Sequence, residues 1–286
     1  MIRHRVLLLS LSVIAALALA QQPAAKPSAA SGAAPLPDIP ALMLQVQAHQ
    51  RQLDKVRENY TFREVQQTDD LDSSGNVKKT ETEEHEVFFV NSHHIERLVK
   101  KNGKDLTPEE QKKETERVTK EVEKATKLPP GKSMEGSEIS VTRILAIMKV
   151  SNPRRVSLNG RDTIAFDFIG DPHAQTHGLE EDASKKLAGR VWIDEKDREV
   201  AKLTVHFDQN FHLGGGLIAN IQAGSSFQFE QAKINNELWL PTGGEAHLQA
   251  RVLLVKGYRQ NVRFKDSDFE RFHTDATQQA GTTVHN

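Results

Sequence analysis

The hydrophobic period of this chain changes once. Leu42, Val46, His49, Leu53 and Val56 recur at alternating spacings of four and three, which places them on one helical stripe. Asp38 offers a carboxylate to the free N–H groups of a first turn, with Pro40 tolerated inside it. His49 reads as a core-edge histidine with a satisfied ring nitrogen rather than as a ligand. From Asn59 the period falls to two. Tyr60, Phe62 and Glu64 alternate with Thr61, Arg63 and Val65, a turn follows at Asp72-Ser73-Ser74-Gly75, and the chain returns through Glu84 to Val90. A short strand over Ile95 to Lys100 ends at Asn102-Gly103, a pair suited to positive φ. Arg155 to Leu158 and Asp162 to Ile169 flank Asn159-Gly160, the strongest hairpin signal in the chain. In that second strand Ile164, Phe166 and Phe168 share one face, with Thr163, Ala165 and Asp167 on the other.

The C-terminal third repeats this pattern. Val191-Trp192-Ile193-Asp194 runs into a polar turn over Glu195 to Arg198. The next strand sets Ala201, Leu203, Val205 and Phe207 against Lys202, Thr204 and His206. Phe227 and Phe229 alternate, Asn235-Asn236 turns the chain, and Leu238-Trp239-Leu240 precedes Pro241. A long strand follows with Ala246, Leu248, Ala250, Val252 and Leu254 on one side, then a last strand carrying Tyr258, Gln260, Val262 and Phe264. The pattern predicts an antiparallel meander of roughly nine to eleven strands, enough to curl strongly. Two helices interrupt it. Thr107-Pro108-Glu109-Glu110 is a capping box that opens a charged helix to Lys127, before Pro129-Pro130. Its apolar residues are sparse (Val118, Val122 and Leu128), so it reads as a solvated helix lying on or projecting from the sheet. A second helix is expected over Gly136 to Val150, where Ile139, Ile144, Leu145, Ile147 and Met148 supply a core face.

Composition changes the picture at the ends. Arg3 and Arg5 precede an apolar run from Val6 to Leu19, and Ala18-Leu19-Ala20 has the small residues that a signal peptidase cuts after. Residues 1–20 therefore read as a signal peptide, which implies export. Residues 21–40, rich in Ala, Pro, Ser and Gln, read as a disordered linker. The domain expectation is one unit over 41–272, with the charged helix at about 107–127 as an insertion and a disordered tail over 273–286. The chain has no Cys, so it has no disulfide, thiolate-ligated metal or acylated cysteine. Lys+Arg 38 against Asp+Glu 39 leaves no global field to recruit nucleic acid, which is not an expected partner.

Candidate chemistry is thin. His173 and His177 stand four apart near Asp171, but Pro172 and Gly178 argue for a loop, and no metal site is expected. His93 and His94 are adjacent, which on a strand points them to opposite faces. Asp167 and Asp171 read as loop-edge charges rather than a catalytic pair. No G-x-S-x-G or P-loop pattern occurs, and Gly214-Gly215-Gly216 lacks the strand-to-helix context of a dinucleotide fingerprint. Neither a catalytic residue nor a cofactor is assigned. The glycine run is instead notable for its neighbours, Phe211, Leu213, Leu217, Ile218 and Ile221. An apolar loop of this kind either folds back as a lid over the sheet or forms a tip that touches membrane or gates a cavity.

A leader, one long N-terminal helix, a curled meander with inserted helices, the segment Gly189-Arg190-Val191-Trp192-Ile193-Asp194 and the segment Trp239-Leu240-Pro241 together resemble the outer-membrane lipoprotein-sorting (LolA/LolB/RseB-like) superfamily. The likeness covers about residues 41 to 272. It implies an α+β fold, a half-open barrel of curved antiparallel sheet with helices packed on the concave face, which holds acyl chains. It also implies a periplasmic protein. The expected function is therefore an exported, non-enzymatic envelope protein that binds lipid or lipoprotein acyl chains, as a carrier or a sensor. The expected ligand-binding side chains are Ile164, Phe166, Phe168, Leu203, Val205, Phe207, Phe227, Phe229, Leu248 and Val252, with Leu213, Leu217 and Ile218 as a membrane or lid loop. Each buried CH₂ contributes about 0.8 kcal/mol, so an acyl chain binds usefully without a charged contact. Two other readings stay open: an envelope interaction scaffold whose partner protein docks on the charged helix, and a hydrolase whose site carries no recognisable motif.

Overall fold

The computed structural model describes residues 35–128, 143, 146–213, 216, 218–252 and 256–271. Helix α1 spans Ile39–Arg57, and Asp38 caps it as expected, its Oδ1 accepting from the Ala41 N–H at 3.0 Å. Four strands follow: β1 (Tyr60–Leu71), β2 (Val77–Val90), β3 (His93–Lys101) and the two-residue β4 (Lys104–Asp105). Their turns use left-handed residues where the sequence supplies Asn or Gly. Asn102 and Gly103 lie at φ 52° and 71°, and Asn91 and Ser92 at 50° and 66°. After α2 (Pro108–Lys127) come β5 (Met148–Leu158), β6 (Arg161–Gly170), the short α3 (Leu179–Ser184), β7 (Leu187–Asp194) and β8 (Val200–Phe207). The remaining strands are β9 (Phe211–Leu213), β10 (Ala219–Ile221), β11 (Ser226–Ile234), β12 (Leu238–Val252) and β13 (Lys256–Arg271).

All thirteen strands join one open antiparallel sheet in the order β4-β3-β2-β1-β13-β12-β11-β8-β7-β6-β5, with β10 attached to β12 and β9 to β10. Two sequential meanders thus meet where the last strand pairs with the first, Tyr60 opposite Arg271 and Asp70 opposite Gln260. The opposite edges, β4 and β5, are consecutive strands of the chain. Register shifts at Thr61/Arg63, Ser151/Arg154, Trp192/Ile193 and Glu230/Gln231 add the local twist that curves such a sheet. The α+β architecture expected from the sequence, a curved antiparallel sheet with helices, is the one observed.

Helix α1 lies across one face and serves both meanders. Ile39, Leu42 and Val46 are buried in a cluster with Ile164, Phe166, Phe168, Leu187, Val191, Ile193 and Val205. One or two turns further on, Leu53 and Val56 pack against Tyr60, Phe62, Val87, Leu238 and Leu240. At about 1.5 Å per residue, 19 residues span roughly 28 Å, enough to bridge the two clusters. A polar pin fixes the helix between them. The buried Glu199 carboxylate receives His49 Nδ1 at 2.9 Å and Gln50 Nε2 at 3.3 Å. His49 therefore has the satisfied ring nitrogen its position predicts.

The two tryptophan segments quoted for the resemblance meet in space. Asp194 accepts from Arg161 (Nε at 2.5 Å) and from the Asp197 N–H (2.7 Å). Asp197 in turn accepts from Arg161 and from the Trp239 indole at 3.0 Å. Arg161 also stacks 5.2 Å from the Trp239 ring centroid. This network locks the β5–β6 and β7–β8 turns to the start of β12, so the motif is architectural.

Three expectations change. The helix expected over 136–150 is helical at Arg143, Ala146 and Ile147 but yields to strand at Met148. There the backbone of Met148, Lys149 and Val150 pairs with Gly170, Ile169 and Phe168 of β6. Ile147 is fully buried, as a core face requires, while Ile139, Ile144 and Leu145 lie outside the described residues. The strand expected from Arg155 accordingly begins seven residues earlier, with Asn152 at φ 52° taking up a bulge. Pro241 does not separate two segments either: Leu238 to Val252 is one strand, and Pro241 sits at the register shift opposite Gln231, where a missing N–H is tolerated. Leu254 lies outside the described residues.

The charged helix α2 carries the predicted capping box, Thr107 with Glu110. It also packs on the sheet, and its charges do specific work there. Glu114 accepts from the Leu98 N–H at 2.8 Å, and the Arg117 guanidinium donates to the Glu96 carbonyl. Those groups belong to β3 where it runs past the two-residue β4, so α2 satisfies a sheet edge that would otherwise present free backbone groups. Arg117 is held in turn by Glu114 and Glu121 at 2.5 and 2.6 Å, and Asn91 Nδ2 caps the far end through the Leu128 carbonyl at 2.5 Å. Arg117→Ala removes the bridge. It is expected to cost about 1–3 kcal/mol and to accelerate amide exchange across β3, read by hydrogen–deuterium exchange. Unchanged exchange in β3 would show that the helix does not protect the edge.

Candidate functional site

Antiparallel partners point their side chains to the same face, so the registers define rows running across the sheet. One row reads Phe166, Val191, Leu203, Phe229, Gly244, Phe264, Gln66 and Glu83. The next reads Phe168, Gly189, Val205, Phe227, Ala246, Val262, Thr68 and Glu81. Both are apolar from β6 to β13 and polar on β1 and β2. This is the face that α1 covers, because Ile164, Phe166, Phe168 and Val205 share its cluster.

Two glycines let aromatic rings lie flat on this face. A Cβ on Gly189 would overlap the Thr204 carbonyl and come within 2.7 Å of the Phe168 ring. One on Gly244 would sit 2.7 Å from the Phe264 ring and collide with the Gln228 carbonyl. Phe264 then stacks on Phe227 at 6.1 Å and 22°, and Phe227 lies 6.4 Å from Phe229.

Helix α1 divides the expected ligand-binding residues. Ile164, Phe166, Phe168 and Val205 are buried core beneath it, and Phe229 is also buried. Leu203, Phe207 and Phe227 are half-buried and pack against the rim of that cluster. Leu248 is half-buried opposite Gln260. Val252 pairs through its backbone with Ala219 and Lys256 at the end of β12. Val262 and Phe264 belong with the half-buried group. Their period-two spacing is visible in the sequence, but their place opposite Ala246 and Gly244 is set only by the register of β13.

The loop residues are also divided. Leu213 and Ile218 flank a hairpin of β9 and β10, with Leu213 opposite Ala219. Leu213 is half-buried and Ile218 is exposed, while Leu217 lies outside the described residues. Phe211 turns inward, buried and stacked on Phe207 at 6.3 Å. His173 and His177 sit in irregular chain before α3, where the His177 N–H donates to Glu181 and the Asp171 carboxylate accepts from the His173 N–H.

Sequence reasoning missed a second feature of this face. Where the apolar rows end, Glu64 on β1 stands opposite His85 on β2 and Asp266 on β13, and Glu96 on β3 faces the same space. Burial raises the Glu64 carboxyl to about 8, helped by the neighbouring charges of Glu96 and Asp266. It raises the Asp266 carboxyl to about 7, helped by Glu96. These groups sit on four separate strands, each unremarkable alone, and only the sheet order brings them together.

The described architecture is that of an open, curved antiparallel sheet with a helix across its inner face. No protein-family model matches the sequence, and no curated protein matches it. Among solved structures the chain is similar to a LolA superfamily protein from Nitrosomonas europaea, at 11% identity and TM-score 0.30 over 80% of this chain and 94% of that one. It is also similar to a DUF1329 family protein from Desulfovibrio piger, at 10% identity and TM-score 0.33 over 81% and 91% of the two chains. A third is a domain described as an outer membrane lipoprotein-sorting protein from Vibrio parahaemolyticus, at 11% identity and TM-score 0.33 over 84% and 93%. Two of the three carry the name of the superfamily that the sequence resembles.

The buried acids set a pH dependence. Glu64 and Asp266 have folded pKa values above their ordinary 4.5 and 3.8, so the folded state binds more protons than the unfolded one between those limits. Their stabilising contribution is complete at the acid end and is lost as pH rises to about 8. In buffer containing a chelator, the melting temperature of Glu64→Gln/Asp266→Asn is expected to gain on that of the native chain between about pH 5 and 8. The gain should be on the order of a few kcal/mol. Parallel profiles for the two proteins would show that these carboxyls titrate normally.

Proposed function

We propose that this chain is a non-enzymatic protein of the bacterial cell envelope, exported to the periplasm through residues 1–20, that binds lipid or lipoprotein acyl chains on the inner face of its sheet. The observation that carries this reading is the uneven cover of the apolar rows. Helix α1 seals the β6–β8 end, whereas Phe207, Phe227, Val262, Phe264 and Leu248 continue the same face half-buried. A contiguous apolar strip on a concave surface is where a flexible hydrocarbon chain gains most, at about 0.8 kcal/mol per CH₂ removed from water. Ile218, 53% exposed on the β9–β10 hairpin, gives a point of contact with a membrane from which such a ligand is drawn. Among the described residues no helix is long and apolar enough to cross a membrane.

The test is native mass spectrometry of the mature chain purified from the envelope without detergent, with organic extraction of what travels with it. The expected result is a stoichiometric lipid or acylated peptide, reduced about tenfold or more in Val262→Glu, which puts a charge into the strip. Circular dichroism should confirm that this variant keeps its sheet. A clean apo mass, unchanged after incubation with phospholipid vesicles, would remove the ligand-binding reading. Ile218→Asp addresses the hairpin separately: it is expected to slow uptake of lipid from vesicles while leaving the bound stoichiometry intact, measured as transfer kinetics of a fluorescent phospholipid.

A further inference from the structure

The acidic group at the polar end of the inner face is built like a cation site. Donor atoms of Glu64, His85 and Glu96 all lie within 4.8 Å of one another, and Asp266 stands directly opposite Glu64 across the β1–β13 ladder. Proximity of acids is common on protein surfaces, but this group is set apart by its unmet polar atoms. Asp266 is 5% exposed, and both of its carboxylate oxygens are buried without a hydrogen-bond partner; His85 is 8% exposed, and its Nδ1 is likewise buried and unpartnered. A buried carboxylate with neither donor nor counter-ion is costly, and such atoms call for an explanation. No Lys or Arg among the described residues forms an ion pair with Glu64, Glu96 or Asp266. Their ion-pair contacts there are to histidines, Glu64 to His85 at 3.9 Å and Glu96 to His94 at 3.5 Å. The nearest strong cation, Arg117, is already committed to Glu114, Glu121 and the Glu96 carbonyl.

We infer that Glu64, His85, Glu96 and Asp266 form a binding site for a divalent transition-metal ion, with one imidazole and three carboxylates as the donor set. A hard alkaline-earth ion takes oxygen ligands, whereas an imidazole in the set selects zinc and its first-row neighbours. Tetrahedral bonds near 2.0–2.2 Å put donors roughly 3.3–3.5 Å apart. Small side-chain rotations close the observed spacing, and Glu96, which is 44% exposed, has room to make the largest. The four ligands come from β1, β2, β3 and β13, so a bound ion ties the C-terminal strand to the N-terminal meander. The site is distinct from the apolar strip and does not depend on the proposed ligand.

The mature full-length chain, stripped with a chelator and dialysed, is titrated with Zn²⁺ by isothermal calorimetry, with Co²⁺ absorption as an independent readout of coordination. One ion per chain at micromolar affinity or tighter is expected, with a raised melting temperature, weaker binding of Ca²⁺, and at least tenfold loss of Zn²⁺ affinity in His85→Gln. Glu96→Gln, at the exposed ligand, keeps the test decisive if the buried substitution unfolds the protein, and it is expected to lose affinity as well. Absence of stoichiometric Zn²⁺ binding by the native chain overturns the assignment. So does native-like affinity in Glu96→Gln together with an unchanged Co²⁺ spectrum, since the ion would then be held by other histidines.

Discussion

The structure depends on one non-local pairing, that of β1 with β13. Tyr60 to Asp70 and Gln260 to Arg271 are separated by about two hundred residues of chain, yet they form the seam that makes one sheet of two meanders. Without it, β1–β4 would be a small sheet with an exposed central strand, and β5–β13 a second sheet with an equally open edge. Closing such a long loop carries an entropic cost that grows only logarithmically with length but must be met before the pairing returns anything. The seam is met by more than backbone bonds. Helix α1 places Leu42 and Val46 on the second meander and Leu53 and Val56 on the cluster that includes Tyr60 and Phe62 of the first, so one rigid element braces both sides.

That arrangement also partitions the inner face. On the side of β6 to β8 the helix packs so closely that Ile164, Phe166 and Phe168 are core in the ordinary sense. Beyond the helix the same rows run on through Phe227, Val262 and Phe264 with only partial cover, and then turn polar as they cross the seam to Gln66 and Thr68. An apolar strip and a buried acidic cluster are therefore neighbours on one surface, Phe264 being two residues from Asp266 on the same strand. The strip draws its character from the second meander. The cluster draws three of its four groups from the first.

Much of the fold is legible in the sequence because its elements are specified by near neighbours. Asp38, the Thr107–Glu110 box and the Asn-Gly and Asn-Asn turns act over three or four residues, and each sits where it was expected. Period-two patterning likewise placed Ile164, Phe166 and Phe168 on one face. The readings that changed involve competition from partners distant in sequence. Met148 to Val150 continue a helical apolar pattern, but β6 offers their backbone a ladder, and Pro241 is accommodated because a bulge lies opposite it. The charges of α2 were legible as a helix, whereas their engagement with the unpaired edge of β3 was not, because that depends on β4 being two residues long.

What the sequence alone determined is what short-range chemistry controls: the helix starts, the turns, the alternating strands and the absence of any thiol. What only the tertiary structure decided is which apolar side chains α1 consumes and which it leaves half-open, and that Glu64, His85, Glu96 and Asp266 share one buried space. The reason is physical. Alternation states that a side chain faces inward, but burial, and with it the cost of an unpaired charge, is a property of everything that faces it from other strands.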